Sequence, residues 1–235
     1  MTAIRRAMVL AAGLGLRMRP ITLATPKPLV EVAGRSMLDR ALDHLTAAGV
    51  EEMVVNSHWL AGCIEAHLAG RPGIALSHEA ELLETGGGVA KALPLLGPDP
   101  FYVVNSDIIW TDGERPALDR LREAWSSQTM DALLLLVPVE RAVGYEGRGD
   151  FHLDGTTGIP RRRRDPETAP LLFSGVQILH PRLFEDCPAG KFSLNVLYDR
   201  ALARGRLAAV VHDGCWYHVG TPDALPEVSA LLAPG

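Results

Sequence analysis

The sequence predicts an α/β fold with a mainly parallel mixed central sheet flanked by helices. Short apolar runs alternate with amphipathic segments through the first half, the pattern of strands joined by helical crossovers. The first two runs enclose a well-signalled helix, which makes a βαβ unit by length and pattern. At 235 residues and 47% hydrophobic composition, the chain can bury one sizeable core, so one domain over residues 1–235 is expected.

The elements follow in order. Ala7 to Ala12 reads as a buried first strand. Ser36 is placed to cap a helix with Asp39 at its third position. Leu38, Ala41, Leu42 and Leu45 share one face of that helix, and Gly49 ends it. Met53 to Asn56, Ile74 to Ser77 and Phe101 to Val104 are the next strands. Gly86 to Gly88 form a glycine turn before a further helix, with Thr85 as a candidate cap. In the second half, Ala132 to Val139 and Phe173 to Leu179 read as strands and Leu194 to Ala203 as a helix. Crossovers there are longer and need not be parallel. Gly144 to Pro170 is rich in Gly, Pro, Asp and Arg, which marks loops and short hairpins rather than a linker.

Composition narrows the function classes. A net charge of -5 argues against a nucleic-acid footprint, which normally shows a basic domain. Cys63, Cys187 and Cys215 are widely spaced with no C-x-x-C pair, the usage of a reducing cytoplasm, and each reads as a small buried hydrophobe. Arg5 and Arg6 before an apolar stretch imitate a secretory signal, but Arg17, Arg19 and Pro20 stand where a small-residue cleavage site belongs. No other apolar run approaches a membrane span. The histidines lack metal-ligand spacing such as H-E-x-x-H, and no G-x-S-x-G elbow occurs. Arg161 to Arg164 read as a solvated turn, with an anion clamp as the alternative.

The richest local signal is Leu10-Ala11-Ala12-Gly13-Leu14-Gly15-Leu16-Arg17-Met18-Arg19-Pro20, with Lys27-Pro28-Leu29 beyond it. Glycines let main-chain N–H groups approach anionic oxygens, and Arg17 and Lys27 supply neutralising charge. Met18 and Pro20 break a dinucleotide fingerprint, and no Walker A string is present. The run resembles the signature of the sugar-phosphate nucleotidyltransferases, L-A-A-G-x-G-x-R-(L/M)-x-P followed by P-K-P-(L/M). Leu16 stands where that family usually carries threonine.

Further blocks extend the resemblance to Pro222. Asn105-Ser106-Asp107 follows a strand, where a carboxylate can reach a phosphate-bound metal, although aspartate there is also a common turn former. The family places its magnesium-binding aspartate in such a motif, which implies Mg2+ on Asp107. Glu84-Thr85-Gly86-Gly87-Gly88 resembles the nucleobase loop of short members that act on muramate or related sugar 1-phosphates. Phe173-Ser174-Gly175-Val176-Gln177 and Phe192-Ser193-Leu194-Asn195 resemble sugar-side motifs. Trp216-Tyr217-His218-Val219-Gly220-Thr221 resembles W-x-D-(V/T)-G-T, with His218 in place of a second metal-binding aspartate. Imidazole is a poor ligand for a hard cation, so three possibilities stay open. Asp107, phosphates and water hold the ion, or His218 contacts phosphate directly, or the metal preference has moved.

The resemblance implies a Rossmann-like, GT-A-like fold without a left-handed β-helix domain, residues 1–110 holding the nucleotide and 111–235 the sugar phosphate. It implies Arg17, Lys27 and Asp107 as catalytic residues. Ala11, Ala12, Gly13, Gly15, Glu79, Thr85, Gly86 and Gly87 are implied on the nucleotide, with Glu79 on the base edge. Asn105, Gly149, Gly175 and Asn195 are implied on the sugar, and Asp107 with His218 as the alternative partner on the metal. The implied reaction joins a nucleoside triphosphate to a sugar 1-phosphate, with UTP and N-acetylmuramate 1-phosphate favoured over GTP and mannose or heptose 1-phosphate. A monomer or small homo-oligomer, with neither nucleic acid nor membrane as partner, is expected. A non-catalytic sugar-nucleotide sensor and a nicotinamide dehydrogenase are the competing classes.

Overall fold

The computed structural model describes residues 3–155 and 158–233. The first half is built as the alternation predicts. β1 (Arg6–Leu10) is followed by a short ribbon, β2 (Glu31–Val32) and β3 (Arg35–Ser36), and then α1 (Met37–Ala47). β4 (Glu52–Ser57), α2 (Ala61–Leu68), β5 (Ile74–His78), α3 (Glu84–Leu96) and β6 (Phe101–Asn105) continue the pattern. β7 (Ile108–Thr111), α4 (Ala117–Ala124), β8 (Ala132–Pro138), β9 (Ala142–Val143), β10 (Phe151–Leu153) and β11 (Pro160–Arg162) lead into the second half. β12 (Leu171–Leu179), α5 (Asn195–Ala203), β13 (Leu207–Val211), β14 (Cys215–His218) and α6 (Ala224–Leu232) complete the described elements.

A nine-stranded sheet spans both halves, with the path β11-β10-β12-β6-β1-β4-β5 and with β8 paired to β12 and β13. The β6-β1-β4-β5 portion is parallel, whereas β12 runs antiparallel to both β6 and β8. Alternate side chains of β1 leave on opposite faces. Ala7 and Val9 join a core with Leu38 and Leu45 of α1, Ile64 of α2 and Leu121 of α4. Met8 joins a second core with Val89 and Ala92 of α3 and Leu197 of α5. Helices therefore cover both faces, and the strand ends between them are free to build a site. β7, β14 and β9 form a separate three-stranded sheet that returns the C-terminal segment to the mouth of that site.

Local signals explain much of this. Ser36 caps α1, its Oγ accepting from Asp39 N at 3.0 Å. The Asp39 carboxylate then turns to Arg71 at 2.6 Å and His67 at 3.0 Å, joining α1 to α2 and to the turn after it. Four expectations are corrected. β1 stops at Leu10, so Ala11 and Ala12 begin the loop rather than end the strand. Gly86 to Gly88 lie inside α3 instead of forming a turn before it, and Thr85 is not the cap. Arg161 and Arg162 belong to β11 and carry partners, Glu167 and Asp199, as does Arg163 with Asp165. All three cysteines are free thiols, but Cys63 and Cys215 are exposed rather than buried. Among the described residues, no helix is long and apolar enough to cross a membrane.

Asp131, at the entrance to β8, is buried and shared by two arginines, with Arg182 Nε at 2.5 Å and Arg206 Nε at 2.8 Å from Oδ1. Burial raises its pKa, but the two guanidinium groups outweigh burial and hold it below the usual carboxylate range. A depressed folded pKa contributes stability above the unfolded value, and that contribution is lost as pH falls through the folded value. Replacing Asp131 by Asn should cost about 3 kcal/mol near neutral pH, because it leaves both cations without their shared charge. Denaturant titrations of both proteins down a pH series should show that deficit shrink only below the ordinary aspartate range. A deficit independent of pH would remove the electrostatic account.

Candidate active site

A cavity of about 620 Å³ opens at the carboxyl ends of β1, β4 and β6. Leu10 at the end of β1 and Ala12, Gly13, Gly15 and Arg17 from the loop after it line the cavity, and Lys27, Asn105, Ser106 and Asp107 line it beyond. The loop curls because Gly15 takes a φ of +61°, and a Cβ there would lie 2.9 Å from Thr22 Cγ2. Thr22 Oγ1 donates to Gly15 O at 2.7 Å, and Trp59 Nε1 donates to Thr22 O at 2.9 Å. Gly13 differs: nothing lies within 4 Å of where its Cβ would be, so the main chain there is open to a ligand. Leu16, in place of a hydroxyl, is exposed on the cavity wall.

Lys27 follows Pro26 and precedes Pro28 in a single 3-10 turn, which restricts its backbone before any ligand arrives. Its Nζ lies 2.8 Å from Asp107 Oδ2, with side-chain exposures of 9% and 38%. Burial pushes the Asp107 pKa up, and the Lys27 charge and hydrogen bond pull it further down, so the carboxylate is ionised at neutral pH. Ser106 anchors this corner, its Oγ and N both reaching Leu10 O, at 2.6 and 3.1 Å. Arg17 is exposed and has no carboxylate partner among the described residues. One cation is thus paired and one is left for an anion.

The second glycine segment works differently from the expectation. Gly86 N and Gly87 N donate to Phe192 O, at 2.9 and 3.1 Å. A Cβ on Gly86 would fall 2.4 Å from the Phe192 ring, and one on Gly87 would fall 2.2 Å from Gly190 O. These glycines seat the 190–194 segment against α3. Thr85 Oγ1 accepts from Leu194 N at 3.0 Å for the same purpose, and Thr85 and Ser193 line the cavity side by side. Glu79 is buried, and both of its oxygens have protein donors: Asn56 Nδ2 at 2.7 Å and Leu83 N at 2.9 Å. It sits behind the wall rather than on it, with Ala11, whose N donates to Asn56 Oδ1 at 2.6 Å. Asn56 is a wall residue that the motifs do not flag. A polar residue at the carboxyl end of a buried parallel strand is the signal that marks Asn56.

On the other side, Asn105 reaches the wall and Gly175 lies behind it. Gly175 has a φ of +88° at a bulge in β12, and its Cβ would sit 3.0 Å from Asn105 Nδ2. Gly149 and Asn195 do not line the cavity. Gly149 has a φ of +70°, and a Cβ would strike Ala169 O at 2.0 Å. Asn195 Oδ1 accepts from Arg162 Nη2 at 2.6 Å.

His218 pairs with Ile108 across β14 and β7, which sets it beside Asp107. Its ring stacks on Trp216 with 6.0 Å between centroids. Gly220, at the wall, leaves room for it, since a Cβ there would lie 2.5 Å from His218 Nε2. Burial, Lys27 and Arg17 lower the imidazole pKa against the opposing pull of Asp107, so His218 is neutral at pH 7. Among the described residues, no three His, Cys, Asp or Glu side chains converge on a metal position. One ionised carboxylate at the edge of a cavity of this size fits a hard cation whose remaining ligands are phosphate oxygens and water.

Residues 6–157 match the Nucleotidyl transferase family model. The chain is 45% identical over 234 residues to the N-acetylmuramate alpha-1-phosphate uridylyltransferase of Caulobacter vibrioides, covering 97% of this chain and 96% of that protein. Its counterpart in Neisseria meningitidis serogroup B is 37% identical over 235 residues, covering 96% and 97%. The fold is shared with the inositol-1-phosphate CTP transferase of T. maritima, with a TM-score of 0.78 at 16% identity over 97% of this chain and 96% of that one. With a family model over more than half its length and two full-length relatives above a third identity, the chain belongs to the nucleotidyl transferase family.

Proposed function

We propose that this chain joins UTP to N-acetylmuramate 1-phosphate, giving UDP-N-acetylmuramate and pyrophosphate. The observation that carries the reaction class is the placement of Gly13, Arg17 and the Lys27–Asp107 pair on one cavity wall. The choice of base and sugar is supported by the relatives from Caulobacter vibrioides and Neisseria meningitidis, which are named for that uridylyl transfer.

A sugar phosphate oxygen attacks the α-phosphorus, a new P–O bond forms, and the bond to the β-phosphate breaks to release pyrophosphate. The nucleophile is already an anion, so no general base is needed. Catalysis reduces to positioning and charge neutralisation. The main chain at Ala12, Gly13 and Gly15 cradles the phosphates, and Arg17 neutralises the departing β and γ groups. Lys27 holds the α-phosphate or the sugar phosphate. Members of this family generally use a divalent metal. Asp107 would hold Mg2+, which when bound neutralises the phosphates of both substrates. His218, neutral and beside Asp107, is placed to hydrogen-bond a phosphate oxygen without adding charge. Residues 1–110 carry the nucleotide and 111–235 the sugar phosphate. Asn105 meets the sugar, with Gly175 holding Asn105 in place; Gly149 and Asn195 support that side from outside the wall.

Pyrophosphate release should be measured for UTP, GTP, CTP and dTTP against N-acetylmuramate, mannose and glucose 1-phosphates with Mg2+. UTP with N-acetylmuramate 1-phosphate is expected to give the highest kcat/KM, and a faster GTP and mannose 1-phosphate pair would overturn the substrate assignment. Binding without release in every combination would make the protein a sensor. Lys27→Ala and Asp107→Ala should each lower kcat by about a hundredfold or more while the protein stays folded. Turnover within a few fold of wild type in either variant would dismiss the assigned roles.

A further inference from the structure

We infer that Asn56 is a positioning residue for the nucleotide, fixing with Glu79 the Ala11 peptide from which the phosphate loop departs. The inference rests on the nucleotidyl-transfer reading above and adds a component to it. Asn56 is the penultimate residue of β4, is 2% exposed, and lines the cavity. Its Oδ1 accepts from Ala11 N at 2.6 Å while its Nδ2 donates to Glu79 Oε1 at 2.7 Å. These partners allow one amide orientation. A main-chain N–H can only donate and an ionised carboxylate can only accept, so a flipped amide loses both bonds.

The relay is itself locked. Glu79 Oε2 accepts from Leu83 N at 2.9 Å, directly before α3, and Glu79 N donates to Ser57 O at 2.8 Å. Gly88 supplies the space, because a Cβ there would lie 2.7 Å from Glu79 Oε1 and 3.0 Å from Asn56 Nδ2. The chain of bonds runs from the start of α3, through the ends of β5 and β4, to the first residue after β1. Ala12 and Gly13, next along, are wall residues. With Ala11 N held by Asn56, the loop leaves the sheet at one angle. The donors of the nucleotide half are then set before a triphosphate arrives.

Exchange of the two polar groups separates positioning from simple stability. Asn56→Asp alone sets two carboxylates against each other. Glu79→Gln alone brings an amide N–H against either Asn56 Nδ2 or Leu83 N. The double variant N56D/E79Q restores the pattern: the new carboxylate accepts from Ala11 N and from the new amide, whose oxygen accepts from Leu83 N.

Pyrophosphate release should be followed with UTP and N-acetylmuramate 1-phosphate varied in turn, with UTP affinity by calorimetry and thermal melts alongside. N56D should raise KM and Kd for UTP about tenfold, the scale of one broken buried hydrogen-bond link, with KM for the sugar phosphate unchanged. N56D/E79Q should recover most of that loss. The inference is overturned by wild-type UTP affinity in N56D, by an equal rise in both KM values, or by a folded double variant no better than N56D. Should N56D not fold, Asn56→Ser, which drops the Glu79 contact, is judged by the same criteria. A wild-type protein that binds UTP and releases no pyrophosphate overturns the functional reading and leaves this comparison to be read from calorimetry.

Discussion

A carboxylate cut off from water must be given donors, because an uncompensated buried charge costs several kcal/mol, and Glu79 receives its donors from different stretches of chain. Leu83 N comes from the approach to α3 and Asn56 Nδ2 from the end of β4. Asn56, once committed to Glu79, must present its oxygen to Ala11, the first residue after β1. The ends of three parallel strands and the entry to a helix are therefore tied to one charge. A sheet alone specifies where strands lie, not where they stop; this network sets the floor on which the glycine loop after β1 stands.

Above that floor the electrostatics are divided between paired and unpaired groups. Lys27 is held between prolines and aimed by Asp107, so little of its freedom is left to lose. Asp107 stays ionised because Lys27 outweighs the burial that would neutralise it. Arg17 has no such partner among the described residues and is exposed at the cavity. His218 sits among these groups uncharged, since two cations and burial oppose its protonation. The arrangement keeps local positive charge at the cavity wall in a chain whose net charge is -5.

Much of this was legible in the sequence where the cause is local. Ser36 caps α1 because a hydroxyl before a helix meets a free N–H three residues on, and the face of Leu38, Ala41, Leu42 and Leu45 is buried as spaced. The glycines after β1 are in a loop because an apolar run followed by Gly-x-Gly and proline cannot continue as a strand. The second glycine cluster misled for a physical reason. Three glycines signal either a turn or a close approach of another segment, and only the position of Phe192 and Gly190 decides between them. Glu79 misled likewise, because a carboxylate near a predicted base loop gives no sign that Asn56 and Leu83 will occupy both its oxygens.

What the sequence by itself determined is the set of local chemistries: an alternating α/β pattern, a glycine loop with two cations at set distances, and an aspartate after a strand. These depend on spacing along the chain, where periodicity, caps and turn residues act over a few positions. Only the tertiary structure decided which groups share a space. It paired Lys27 with Asp107 across 80 positions, set His218 beside Asp107 through β14 and β7, and placed Asn56 between Ala11 and Glu79. Those contacts follow from strand order in the sheet, which long-range packing sets and no local signal encodes.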